Sequence, residues 1–215
     1  MQKTIWITGA SSGIGQEFAR RYAKLGCRLI LTARRTDRLE ALAAKLGTPC
    51  RILPADLAKE EDCQRLFKEL EGETIDIFIN NAGFGDCGPF LQTELDKDLD
   101  MLSVNIRALH ILTKKIGQQL YKQGFGALLN VGSCAGLMPA GPYMATYYAT
   151  KAYVVSLTSA LAQELREAVQ DDTNIDEELG DLLFAAVRVA STLDKDPEQA
   201  LQKANAAFTA ATHQL

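Results

Sequence analysis

Five short apolar runs punctuate the first 132 residues: KTIWIT (3–8), CRLILTA (27–33), CRILP (50–54), IDIFIN (75–80) and GALLNVG (126–132). Each is rich in β-branched residues or bounded by turn formers, which predicts strands. Between and after them, apolar positions recur at helical spacing near 13–24, 36–46, 60–71, 95–122 and 146–168. Strands alternating with helices predict a parallel sheet built by right-handed crossovers. The runs are apolar almost throughout, as expected where both faces of a sheet are covered. The expected class is α/β, a doubly wound parallel sheet that stops after its fifth strand.

The end of the chain follows a different pattern. Val154, Val155, Leu157, Thr158, Leu161 and Leu165 continue one helix, and QDDTN (170–174) then makes a polar break. Ile175, Leu179, Leu182, Leu183, Ala186, Val187, Ala190 and Leu193 predict a second helix. Asp196 and Pro197 carry the N-cap and first-turn chemistry of a third. No strand-like run follows residue 132, so an all-helical tail is expected. Charge shifts at the same place. Residues 168–215 hold nine acidic and three basic side chains, while 1–167 hold 18 and 20. The predicted division is a domain over 1–167 and a tail over 168–215.

Composition narrows the partners. The net charge of −4 shows no basic excess for nucleic acid, and no apolar run is long enough to span a bilayer. The first strand begins almost at residue 1, leaving no room for a leader. Cys27, Cys50, Cys63, Cys87 and Cys134 are scattered, odd in number and without a C-x-x-C pair. They fit buried thiols in a reducing compartment, with no metal site, and a cytoplasmic location is expected.

The chemistry concentrates at strand ends. TGASSGIG (8–15) follows the first strand and opens a helix. Gly9 permits a tight turn, Gly13 lets backbone approach a pyrophosphate, and Gly15 allows close helix–sheet contact. The helix start then offers free N–H groups and positive dipole to an anion. Together with NNAG (80–83), Asn105, Ser133 and Tyr147-Tyr-Ala-Thr-Lys151, this loop resembles the short-chain dehydrogenase/reductase family over about 167 residues. The resemblance implies a Rossmann-like fold and a nicotinamide cofactor held by Gly9, Ser11, Ser12, Gly13, Ile14, Gly15, Asp56, Asn81, Ala82 and Gly83, with Tyr147 and Lys151. Where an acidic residue would take a free ribose hydroxyl, this chain has Ala33, followed by Arg34 and Arg35. Guanidinium pairs with phosphate, so NADP is expected over NAD. Asp56 also reads as a helix cap, and Asn81 as a turn residue.

Tyr147 and Lys151 are four residues apart and share a helix face. Of Tyr143, Tyr147 and Tyr148, only Tyr147 has lysine at the fourth position onward. A phenol titrates near ~10, and a neighbouring ammonium favours its ionised form. By resemblance, Tyr147 exchanges the proton, Ser133 orients the substrate oxygen, Lys151 also holds the nicotinamide ribose, and Asn105 anchors a water beside Lys151. The implied reaction is hydride transfer between NADPH and a small-molecule carbonyl or alcohol.

The resemblance also implies a sixth strand and a Pro-Gly turn after the Tyr/Lys helix. Residues 168–215 have neither, which would leave the fifth strand as an edge and favour self-association. Instead, EELGDLLF through the DPEQALQKANAAF stretch (177–208) resembles the C-terminal helices of MazG-type nucleoside triphosphate pyrophosphohydrolases. Glu178 and Asp181 would supply half of that family's Mg²⁺ ligands, and the E-x-x-E pair that should precede them is absent. Three readings follow: an NADP(H)-dependent reductase or dehydrogenase first, a cofactor-binding chimera without turnover second, and a pyrophosphohydrolase last.

Overall fold

A computed structural model describes residues 2–138 and 141–171 of the 215. In chain order the elements are β1 (Thr4–Thr8), α1 (Gly13–Lys24), β2 (Arg28–Thr32), α2 (Thr36–Leu46), β3 (Cys50–Ile52), α3 (Glu60–Glu69) and β4 (Ile77–Asn80). Then come α4 (Leu95–Leu102), α5 (Leu109–Gln123), β5 (Ala127–Asn130) and α6 (Ala145–Asp171). The sheet order is β3-β2-β1-β4-β5, and every neighbouring pair is parallel. The chain steps outward from β1 to β3, then returns to lay β4 on the other side of β1. Connections leaving β1 and β4 therefore diverge, and a crevice opens at the carboxyl ends of the strands.

Strand alternation divides the interior into two cores. Ile5, Ile7, Leu29, Leu31 and Ile79 face α1 and α2, meeting Ala19, Ala23, Leu39 and Leu42. Trp6, Ile30, Phe78 and Leu128 face the opposite way and meet Leu66 of α3 with Leu112, Ile116 and Leu120 of α5. Both faces are covered, which is why the strands read as continuous apolar runs. Trp6 is fully buried, its ring 4.6 Å from that of Phe78, and its Nε1 donates to Thr32 Oγ1 at 2.9 Å. Burying each such side chain stabilises the fold by about 1.5–3 kcal/mol.

The strands are shorter than the apolar runs for local reasons. Pro54 falls just past β3, between Leu53 N, which donates to Leu31 O at 2.9 Å, and Ala55 N, which donates to Ala33 O at 3.2 Å. At β4, Asp76 turns its carboxylate onto Thr4 N at 2.7 Å in place of a backbone partner. The stretch expected as one helix over 95–122 is interrupted by a π-helical segment, Ser103–Ala108, between α4 and α5. α6 runs to Asp171, past its expected end near 168. β5 has one strand neighbour among the described residues.

Of the five cysteines, Cys27 and Cys63 are buried, whereas Cys87 is exposed, so burial does not account for all of them. No helix among the described residues is long and apolar enough to cross a membrane. The predicted tail helices, with Glu177, Glu178 and Asp181, lie outside the described residues.

Candidate functional site

The crevice is a cleft of about 580 Å³ that receives the carboxyl end of all five strands. On the β1 side its wall is the glycine loop. Gly9 has φ +68°, and a Cβ there would lie 2.7 Å from Asn81 Nδ2 and 2.9 Å from Ala82 Cα. Gly15 is tighter still, since its Cβ would stand 2.5 Å from Gly9 O and 2.6 Å from Asn81 Nδ2. Only glycines let α1 lie this close to the ends of β1 and β4. Ser12, the N-cap of α1, makes no side-chain cap, and the first turn contains no acidic residue. The start of α1 thus faces the cleft without a competing carboxylate, a setting that favours a bound phosphate.

Ala33, Arg34 and Arg35 form the wall beyond β2. Ala33 is buried at the position where a ribose-binding acid would stand. Both arginines are exposed, and Arg35 Nη2 donates to Ser11 Oγ at 3.1 Å and Ser12 Oγ at 2.9 Å. A guanidinium therefore sits over the glycine loop. Asp56 lines the cleft and also accepts from Ala58 N at 3.2 Å through Oδ1, so it serves a local turn while facing the cavity.

Ser133, Tyr147 and Lys151 converge at the β5 end. Extended backbone at Ser133 starts a short 3₁₀ turn, Cys134–Gly136, and Ser133 Oγ accepts from Ala135 N at 3.2 Å. Gly136 packs against the Lys151 carbonyl so closely that no Cβ would fit, which presses this turn onto α6. Of the three tyrosines, Tyr147 alone lines the cleft, its ring packed over Gly85. Lys151 is buried, its Nζ donating to Val131 O at 3.0 Å and lying 5.9 Å from the centre of the Tyr147 ring. Burial pushes its ammonium down to about 8, because removal from water disfavours the charged form.

Asn105 lies behind the cleft, in the π-helical segment, with 1 % of its surface exposed. Its Oδ1 accepts from Phe84 N at 3.0 Å, and its Nδ2 donates to Phe84 O at 2.8 Å and Thr150 Oγ1 at 3.1 Å. It thus clamps the loop after β4 to α6. Gly83 lies between this amide and Lys151, since its Cβ would be 3.0 Å from Asn105 Oδ1 and 3.5 Å from Lys151 Nζ. Asn81 Nδ2 donates to Thr8 O at 2.9 Å, so its side chain joins the ends of β1 and β4. Of the residues read from the sequence, only Gly15 and Asn105 are not themselves in the cleft wall; both support it from behind.

Several supporting residues were given no individual role from the sequence. Val131 supplies the carbonyl for Lys151. Thr8 Oγ1 accepts from Asn81 N and Ala82 N, both at 3.0 Å. Asn80, Thr113, Asn130 and Thr158 form a buried hydrogen-bonded group beneath the site. The available signal was the polar residue closing each apolar strand: Thr8, Asn80 and Asn130. Tyr143 has φ +68°, the one positive value at a non-glycine among the described residues, and its carbonyl accepts from Gly88 N at 2.8 Å.

The sequence profile described as short chain dehydrogenase matches residues 3–170. A very-long-chain 3-oxoacyl-CoA reductase of Neurospora crassa is 34% identical over 214 residues, covering 94% of this chain. The chain spans 64% of that relative's length. Among solved structures, a short-chain dehydrogenase from Sphingobium yanoikuyae in complex with NADPH is 38% identical with a TM-score of 0.72, covering 77% of this chain and 66% of its own. A bulky-bulky ketone specific alcohol dehydrogenase from Comamonas testosteroni is 30% identical with a TM-score of 0.77, covering 96% of this chain and 82% of its own. The pyrophosphohydrolase resemblance of the tail gains no support from these findings.

Proposed function

The chain belongs to the short-chain dehydrogenase family, and on that premise we propose that it is an NADP(H)-dependent oxidoreductase acting on a carbonyl or the corresponding alcohol. The observation that carries this reading is that one cleft gathers the glycine loop, both arginines, Ser133, Tyr147 and Lys151. The narrow cradle at Gly9 and Gly15 and the acid-free start of α1 fit a dinucleotide pyrophosphate. Arg34 and Arg35 would hold a 2′-phosphate, a choice supported by the absence of an acid at Ala33 and by the NADPH complex of the Sphingobium relative. Asp56 would face the adenine end, and Asn81, Ala82 and Gly83 the middle of the cofactor. Bound there, the cofactor supplies or accepts the hydride.

The protein's own residues handle the oxygen and its proton. Ser133 Oγ would hydrogen-bond the carbonyl oxygen, fixing its orientation, and Tyr147 Oη would give that oxygen its proton in the reductive direction. Lys151, charged below about pH 8, places positive charge beside the Tyr147 ring. It would also donate to the nicotinamide ribose. Asn105 acts from behind, by holding Phe84 and Thr150 in place.

Exposed Phe90, Leu137, Met138 and Tyr143 lie on the loops that follow β4 and β5 and precede α6. They support a substrate with an apolar body, in keeping with a relative described as a reductase of very-long-chain 3-oxoacyl-CoA. Titration of the 215-residue chain by cofactor fluorescence should give NADPH an affinity at least about tenfold above NADH, the scale of one charge-assisted phosphate contact. Equal affinities would remove the phosphate role from Arg34 and Arg35. A carbonyl-reduction screen with NADPH then separates an enzyme from a chain that binds cofactor without turnover.

A further inference from the structure

Beneath the cleft lies a chain of buried polar side chains that the proposed reaction does not use. Asn130 Nδ2 donates to Thr158 Oγ1 at 3.0 Å, joining β5 to α6. Asn130 Oδ1 accepts from Thr113 Oγ1 of α5 at 2.9 Å and from Asn80 Nδ2 of β4 at 3.2 Å. Asn80, Thr113, Asn130 and Thr158 are each no more than 3 % exposed. An apolar residue at any of these positions would be simpler to bury, because each polar group must find a partner or be left unsatisfied at a cost in stability.

The position of Thr158 indicates what the group does. Tyr147, Lys151, Val154 and Thr158 follow one another at intervals of four, three and four residues, so they form one stripe along α6. Val154 and Thr158 are the buried lower part of the stripe, and Tyr147 and Lys151 are the part at the cleft. The hydrophobic effect is non-directional, so apolar burial holds the register of a helix on a sheet only through the fit of its side chains. A hydrogen bond is directional. Moving α6 by one residue shifts it about 1.5 Å and turns it about 100°, which breaks the Asn130–Thr158 pair. The same movement withdraws Lys151 Nζ from Val131 O. Asn130 immediately precedes Val131 on the strand that leads to Ser133, so one segment anchors both parts of the stripe.

We propose that Thr158 is a positioning residue for the reaction: its bond to Asn130, braced by Asn80 and Thr113, fixes the register of α6 and so sets Tyr147 and Lys151 against Ser133. This rests on the catalytic reading of those three residues, and the test separates the two claims. In the 215-residue chain, Thr158→Val keeps the shape and removes the hydroxyl, Thr158→Ala removes it without adding a methyl, and Thr158→Ser retains it. Thr158→Val or Thr158→Ala should lower kcat at least about tenfold, and Thr158→Ser should restore most of kcat. Independently of turnover, NMR titration of a ¹³Cε-labelled lysine signal assigned to Lys151 should show a depressed midpoint in the wild type and Thr158→Ser. In the folded hydroxyl-free variants that midpoint should rise towards an ordinary lysine. If the midpoint stays depressed without the hydroxyl, or Thr158→Ser fails to recover the wild-type midpoint, the positioning role is overturned. A wild-type chain with no turnover but the expected lysine titrations would instead overturn the catalytic reading and leave the positioning of Lys151 standing.

Discussion

Replacing Lys151 with methionine removes a charge from a buried site while keeping most of the side-chain volume. In the folded protein the ammonium titrates at about 8 instead of 10.5, which corresponds to about 3 kcal/mol at roughly 1.4 kcal/mol per pH unit. The direction follows from proton counting. Between the two values the unfolded chain binds more protons than the folded one, so the stability of the wild type rises with pH through this window. Below about pH 8 both states carry the charged lysine and the full penalty of burying it is present; above the unfolded value it is gone. Thr150, Val154 and the rest of α6 are the same in both proteins, so the difference between wild type and Lys151→Met isolates the one group. Methionine leaves Val131 O without its donor, a loss of about 1 kcal/mol. The variant should therefore be about 2 kcal/mol more stable than wild type near pH 7 and lose that advantage near pH 10. Urea unfolding at a series of pH values measures both, provided m is unchanged. A stability difference that does not vary with pH between these limits would refute the claim that the charge is buried at a cost.

Tyr147→Phe should lower turnover about a thousandfold, within the range for loss of a general acid, and leave NADPH affinity within about twofold; an active variant removes Tyr147 from the mechanism. Gly15→Ala forces a Cβ to within 2.5 Å of Gly9 O and should destabilise the fold by about 1–3 kcal/mol. Its cofactor affinity should fall more than about tenfold, and an unchanged titration would contradict the close-packed cradle. Glu73 accepts from Arg28 at 2.7 Å and Arg51 at 2.8 Å, and hydrogen bonding to Arg28 holds its carboxyl below the ordinary carboxylate range. Its stabilisation is present above the unfolded pKa and disappears as pH falls through the folded one. Glu73→Gln should accordingly lower stability by about 1 kcal/mol near neutrality and by nothing in strong acid, as followed by thermal unfolding.

The architecture was readable because each strand meets two cores. Ile5 and Ile7 serve one and Trp6 the other, so the run has no polar alternation and announces a covered sheet. The glycine loop and the Tyr147–Lys151 spacing were equally visible, since both are local relations fixed by backbone geometry. What escaped was long-range. Lys151 is held by a main-chain carbonyl twenty residues away, and no side-chain pattern marks which carbonyl that is. Asn130 and Thr158 are separated by 28 residues and meet only after α6 has packed on β5. The π-helical segment was hidden for another reason. Apolar residues over 99–112 satisfy more than one helical phase, so an extra residue in one turn leaves the hydrophobic pattern intact.

That extra residue makes chain length a determinant of the site. A single deletion within Ser103–Ala108 would heal the helix into uninterrupted α geometry, ordinarily the more stable form, keeping the faces of α4 and α5 in phase but removing the widened turn that carries Asn105. Asn105 would then leave Phe84 and Thr150, and the loop after β4 would lose its link to α6. Every cleft-lining side chain outside this segment would still be encoded. In this helix, then, a one-residue change of length tests the site more severely than most substitutions, although surface loops elsewhere absorb such changes readily.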